Sequence, residues 1–105
     1  GAFTDDISWT ESDGFPTAGT YNGPQDILEN VFMPLGALGA NWRIEVARYI
    51  TEGDTVVADG VYRWEHNETA KSCAVRMAHI WTLENGKIKT FLQHVDSAKV
   101  LEQLA

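Results

Sequence analysis

His79, Gln93 and Glu11 are the side chains whose types and places in this sequence could carry chemistry. His79 and Gln93 stand on either side of Glu84-Asn85-Gly86, a tight-hairpin signal between two runs that alternate like strands. A three-residue loop with Gly86 in a bulge sets His79 opposite Phe91 with Gln93 diagonal to it, so that the two share a face. A strict two-residue loop pairs His79 with Leu92 and turns Gln93 to the other side. The bulged register is the one expected. In it, an imidazole and an amide among apolar neighbours such as Phe91 and Val95 read as a pocket pair, while the plainer reading makes His79 a core histidine with one satisfied nitrogen. Glu11 shares a strand face with Ile7 and Trp9. If that face is concave, burial raises the pKa of the carboxyl and makes it a usable base; at a wet strand end it is a solvated carboxylate. Asp96, just before Ser97-Ala98-Lys99, reads as a helix cap, and His94 alternates with Gln93 and should face outward.

Around these groups the sequence supplies an apolar wall: Trp9, Phe32, Tyr62, Trp64, Met77, Trp81 and Phe91. Each ring alone reads as core filling. Together, four Trp, three Tyr and four Phe in 105 residues suit a pocket for a planar or polycyclic guest.

The elements that must position these groups follow from periodicity. Phe3 to Glu11 alternates as a first strand, closed by the turn residues Ser12-Asp13-Gly14. Pro16 to Tyr21 is a short second strand. From Gln25 onward Ile27, Leu28, Val31, Phe32 and Leu35 recur at helical spacing, with Pro34 expected to end or kink the helix and Gly36 and Gly39 to finish it. Trp42–Thr51, Thr55–Glu65, Lys71–Leu83 and Lys87–Val95 read as four strands of an antiparallel meander, and Asp96-Ser97 caps a last helical stub. A sheet of long strands with helices on one face curls around them or leaves its concave side to a ligand.

Bulk composition narrows the classes. The length of 105 residues suits one domain spanning 1–105, and 44% hydrophobic residues suit a folded core. A net charge of −7 argues against nucleic acid and anionic membrane surfaces. No apolar run is long enough to span a bilayer and no secretion signal is visible, so the simplest address is the cytoplasm. Cys73 is the one cysteine and only three His are present, without metal-ligand spacing, so neither a disulfide nor a metal site is expected.

That order of elements, with DDISWTE at the front, GTYNGPQDILENVF at the helix entry and HIWTLENGKIKTFLQHVDSAKVLEQL at the end, resembles the SnoaL-like, polyketide cyclase-like branch of the nuclear-transport-factor-2-like, ketosteroid-isomerase-like superfamily. The resemblance implies an α+β fold: a strongly bent antiparallel sheet forming a cone. Relatives usually begin with one or two covering helices, whereas this chain starts at the first strand; truncation, recombination or a partner subunit over the open face are the alternatives. In the SnoaL-type cyclases the matching positions look to be a His and an acidic group, and Gln93 replaces the acid, which argues against the cyclase reaction. Glu11 falls about where ketosteroid isomerases carry a proton-shuttling Asp. The expected function is binding of a small, largely apolar molecule, with cofactor-free proton transfer next to a carbonyl as the chemistry. Glu11 would be the base, His79 would polarise an oxygen, and Gln93 would complete the polar set. The alternative is a noncatalytic module that pairs through its sheet, and a homodimer or higher homo-oligomer is expected.

Overall fold

The computed structural model describes residues 2–105. Its elements run β1 (Phe3–Glu11), β2 (Gly19–Asn22), α1 (Pro24–Ile27), a π-helical segment (Leu28–Phe32), α2 (Met33–Leu38), β3 (Gly39–Glu52), β4 (Thr55–His66), β5 (Ser72–Glu84), β6 (Lys87–Val95) and α3 (Ser97–Leu104). The six strands form one curved, unclosed sheet in the order β2-β1-β6-β5-β4-β3. The expected meander is there, since β3 to β6 pair antiparallel in succession. Beside it β1 runs parallel to β6, an arrangement the short turns did not announce.

Alternation decides the faces. Ile7, Trp9 and Glu11 of β1, Tyr62 and Trp64 of β4, Cys73, Val75, Met77, His79 and Trp81 of β5, and Phe91 and Gln93 of β6 share the inner face. Two apolar clusters fill it. One packs Phe15, Tyr62, Trp64, Cys73, Val75 and Met77 against Val100 of α3. The other packs Ile27 and Val31 of the helical run against Ile7, with Trp9, Tyr21 and Leu35 at its margin. Asp96 caps α3, accepting the Lys99 N–H at 3.1 Å, as its position ahead of Ser97 suggested.

Three details differ from the sequence reading. The hairpin turn has only two residues, Asn85 and Gly86, at φ 51° and 79°, so Glu84 faces Lys87 across a type I′ turn. The extra residue lies further along: Ile88 pairs with Leu83 and Thr90 with Thr82, leaving Lys89 as the bulge. His79 therefore faces Gln93 itself, and Phe91 faces Trp81. The shared face survives although the expected partner of His79 was wrong. Pro34 does not end the helix: the backbone widens ahead of it, Met33 N–H reaching back to Leu28 O, and the helical run continues to Leu38. The second strand begins at Gly19 rather than Pro16, because Phe15 to Ala18 is consumed by turns that send Phe15 and Thr17 inward. No helix among the described residues is long and apolar enough to cross a membrane.

Candidate functional site

Four polar side chains are buried among the described residues: Glu11, Thr17, His79 and Gln93. All four belong to one neighbourhood, and burying them costs stability unless hydrogen bonds are made. Gln93 is 4% exposed and held at both ends: its Oε1 accepts the Ser12 N–H at 3.0 Å and its Nε2 donates to the Tyr62 hydroxyl at 2.8 Å. Ser12 Oγ also donates to the Gln93 carbonyl, tying the end of β1 to β6. The Tyr62 hydroxyl meets His79 Nε2, completing a chain from Ser12 to the imidazole.

The other nitrogen of His79 is different. Nδ1 is buried and has no hydrogen-bond partner among the described residues. The ring sits edge-on to Phe91 at 4.6 Å and near Trp81 at 5.8 Å, so its surroundings are aromatic. Burial pushes its pKa down to about 4, which keeps the imidazole neutral at pH 7. Burial likewise pushes the Tyr62 phenol well above its usual range and keeps it protonated.

Glu11 is 3% exposed, so the solvated reading is overturned. Burial pushes its carboxyl up to about 7, opposed by the Thr17 hydroxyl, which donates to Oε1 at 2.9 Å, and by the nearby Trp9 indole. Trp9 Nε1 acts on the carboxyl through proximity only, since it makes no hydrogen bond of normal geometry. Trp9 stacks on Phe91 at 3.8 Å and meets Phe32 edge-on at 5.5 Å, which fixes its orientation.

These groups open onto a cavity of about 320 Å³ lined by Trp9, Glu11, Val31, Phe32, Leu35, Trp42, Arg43, Ile44, Tyr62, His79 and Trp81. Larger hollows lie against the end of α3 and beside Asp96, but none of the buried, unpartnered polar atoms belongs to a residue lining them. Of the expected site residues, Glu11, His79, Trp9, Phe32, Tyr62 and Trp81 line the cavity. Gln93 stands behind Tyr62, and Phe91 backs the wall beneath Trp9 and His79. Trp64 and Met77 lie in the apolar core; Trp64 stacks on Trp42 at 4.5 Å and is walled off from the cavity by packing. Sequence reasoning missed Ser12, Thr17 and Trp42, and missed the polar role of Tyr62. Trp42 and Ile44 alternate on one face of β3, a signal that could have placed them; Ser12 and Thr17 sit in turns and carry no periodic signal. Among the described residues no three His, Cys, Asp or Glu side chains gather to hold a metal ion.

With the geometry in place, comparison with known proteins assigns the family. The model of the SnoaL-like domain matches residues 1–91. The chain belongs to the SnoaL-like domain family. Among solved structures, an NTF2-like protein from Burkholderia thailandensis E264 is 36% identical over 99% of this chain and 80% of its own, with a TM-score of 0.90. TerC, crystallised with polyporic acid, is 21% identical over 98% of this chain and 80% of its own, with a TM-score of 0.89. A SnoaL-like polyketide cyclase-type structure from Jannaschia sp. CCS1 is 14% identical over 98% and 73%, with a TM-score of 0.80. The last two share the fold. No curated protein matches. Within this SnoaL-like domain the cavity lies on the inner sheet face, under the helical run.

Proposed function

We propose that this SnoaL-like domain binds a small, largely apolar molecule bearing a carbonyl in the inner cavity, and moves a proton next to that carbonyl without a cofactor. One observation supports the reading above others: a buried carboxyl with a pKa of about 7 lines a mostly apolar cavity together with Trp9 and His79, whose Nε1 and Nδ1 atoms are buried with no hydrogen-bond partner among the described residues. A base works best when its pKa lies near the working pH, and desolvation has brought Glu11 there. In the step, the Glu11 carboxylate takes the proton from the carbon beside the carbonyl, and the C–H electrons pass into the C–C bond while the carbonyl electrons move onto oxygen. His79 stabilises that oxygen, and the protonated Glu11 returns the proton to the same or a neighbouring carbon.

The test needs no natural substrate. Indanone carries exchangeable protons beside its ketone, and their replacement in heavy water can be followed by NMR with catalytic amounts of protein. Exchange should be accelerated by the wild type, and Glu11→Gln should slow it about 100-fold or more while indanone affinity stays within about threefold. Equal loss of exchange and binding, or exchange indifferent to the substitution, would count against the mechanism.

A second reading, association through the outer sheet face, rests on a separate surface. Strand register places Leu92, Ile80, Val57 and Ile50 side by side across β6, β5, β4 and β3, with Thr10 of β1 next in the row. Leu92 and Ile50 are 43% and 49% exposed. An apolar row crossing four strands suits a second copy of the chain packed sheet to sheet, and it leaves the inner cavity free.

A further inference from the structure

The hydrogen-bond chain behind the cavity has a direction, and the backbone sets it. A main-chain N–H can only donate, so the Gln93 atom beside Ser12 N must be the amide oxygen. The amide nitrogen is thereby turned toward Tyr62, where it donates to the hydroxyl oxygen. That hydroxyl has one proton, and the partner it meets is His79 Nε2. If Tyr62 donates, Nε2 is the acceptor and the neutral ring carries its proton on Nδ1. If His79 donated instead, the Tyr62 proton would be left buried without an acceptor and Nδ1 would be a bare, buried lone pair. That arrangement strands two buried groups instead of one, and each buried polar group left without a partner is costly.

We infer that Ser12, Gln93 and Tyr62 are positioning residues that lock His79 in its Nδ1–H form, so that the ring presents a neutral hydrogen-bond donor to an acceptor oxygen of the cavity's ligand. The inference rests on the proposed cavity function and adds the polarity of the site. His79 is a fixed donor rather than a base, which leaves proton abstraction to Glu11. The preferred guest carries a ketone, quinone or similar acceptor oxygen at the His79 end; an ammonium group there, which has donors and no acceptor, would meet an N–H and be disfavoured. Gln93 is what makes this so. A carboxylate at this position would accept from both Ser12 N–H and Tyr62 O–H, and Tyr62 would then turn its lone pair to Nε2 and move the ring proton there.

That reversal gives the test. In protein labelled with nitrogen-15 at the histidine rings, NMR at pH 7 should show His79 of the wild type as a single Nδ1–H tautomer. Gln93→Glu, nearly the same shape, should convert it to Nε2–H, and Tyr62→Phe should leave a mixture. A wild-type Nε2–H tautomer, or no reversal in Gln93→Glu, overturns the inference with no ligand involved. Indanone should bind the wild type about tenfold tighter than indane, the hydrocarbon of the same shape, and that advantage should vanish in Gln93→Glu while indane binding is unchanged. Equal affinity of the two probes for the wild type overturns the donor role. If neither probe binds, the cavity reading and the donor role fall together, while the tautomer experiment still decides the hydrogen-bond chain.

Discussion

Glu11 and His79 are displaced in opposite directions by one cause, the loss of water around each group. Glu11 rises from an ordinary 4.5 to about 7, so its contribution to stability is fully present below 4.5 and is lost as pH rises through 7. His79 falls from 6.5 to about 4, so its contribution is present above 6.5 and is lost as pH falls through 4. Between 4.5 and 6.5 the folded protein holds the proton on Glu11 and the unfolded chain holds it on His79; the two states bind equal numbers and the effects cancel. Glu11→Gln removes one side of that balance. Relative to the wild type, the variant should lose roughly 3 kcal/mol as pH falls from 7 to 4.5, read from urea unfolding at several pH values. His79→Gln should show the mirror image, losing stability relative to the wild type as pH rises from 4 to 6.5. Parallel curves for wild type and either variant would show that the two groups are not desolvated as described. The residue types and the strand face of Glu11 were readable from alternation. Its burial was not, because the side chains that cover it, Thr17 and Trp9, arrive from a turn and from the packing against Phe91.

At the scale of the elements, glycine and proline produced both the clearest signals and the misreadings. Asn85-Gly86 announced its hairpin correctly, and both residues take the positive φ that a type I′ turn demands. The bulge at Lys89 is fixed elsewhere, where β6 also pairs with β1 and Lys89 meets Asp6 at 2.6 Å, a contact 83 residues away in sequence. Gly60 carries a demand of another kind. It lies opposite Val46, next to the break in the β3 register, and a Cβ built there would stand 2.3 Å from the Glu45 carbonyl oxygen. Backbone cannot yield as a side-chain tip can, so Gly60→Ala should force β3 away from β4 and cost about 1 to 3 kcal/mol. Thermal unfolding measures this directly; an unchanged midpoint would mean that the strands do not approach so closely. Ile44 and Trp42 of the same strand line the cavity, so the variant should also weaken indanone binding.

For the molecule as a whole, the two sheet faces divide the labour. The inner face is occupied by two apolar clusters and the polar groups beside the cavity, while the outer face carries the Leu92, Ile80, Val57 and Ile50 row. If that row joins two copies, sedimentation at micromolar concentration should give a dimer. Ile80→Lys, placed mid-row and pointing away from the core, should then give a monomer that keeps cavity binding. A wild-type monomer under those conditions would remove the association reading and leave the cavity function untouched. The charge of −7 bears on this scale too, since two such chains repel and the dimer should tighten as salt is raised.

The sequence by itself determined the identities of the strands, the common side of Met77, His79 and Trp81 on β5, the helix that lies on the sheet and the cap on the last helix. All of these rest on periodicity or on a neighbour within a few residues, where backbone stereochemistry leaves little choice. Only the tertiary structure decided that His79 faces Gln93, that β1 joins β6 in parallel, and that Tyr62 and Ser12 complete the polar chain. Those outcomes depend on bulges and turns whose positions are set by contacts between residues distant in sequence. A one-residue shift in such a place re-pairs every group beyond it without altering the local pattern of apolar and polar residues.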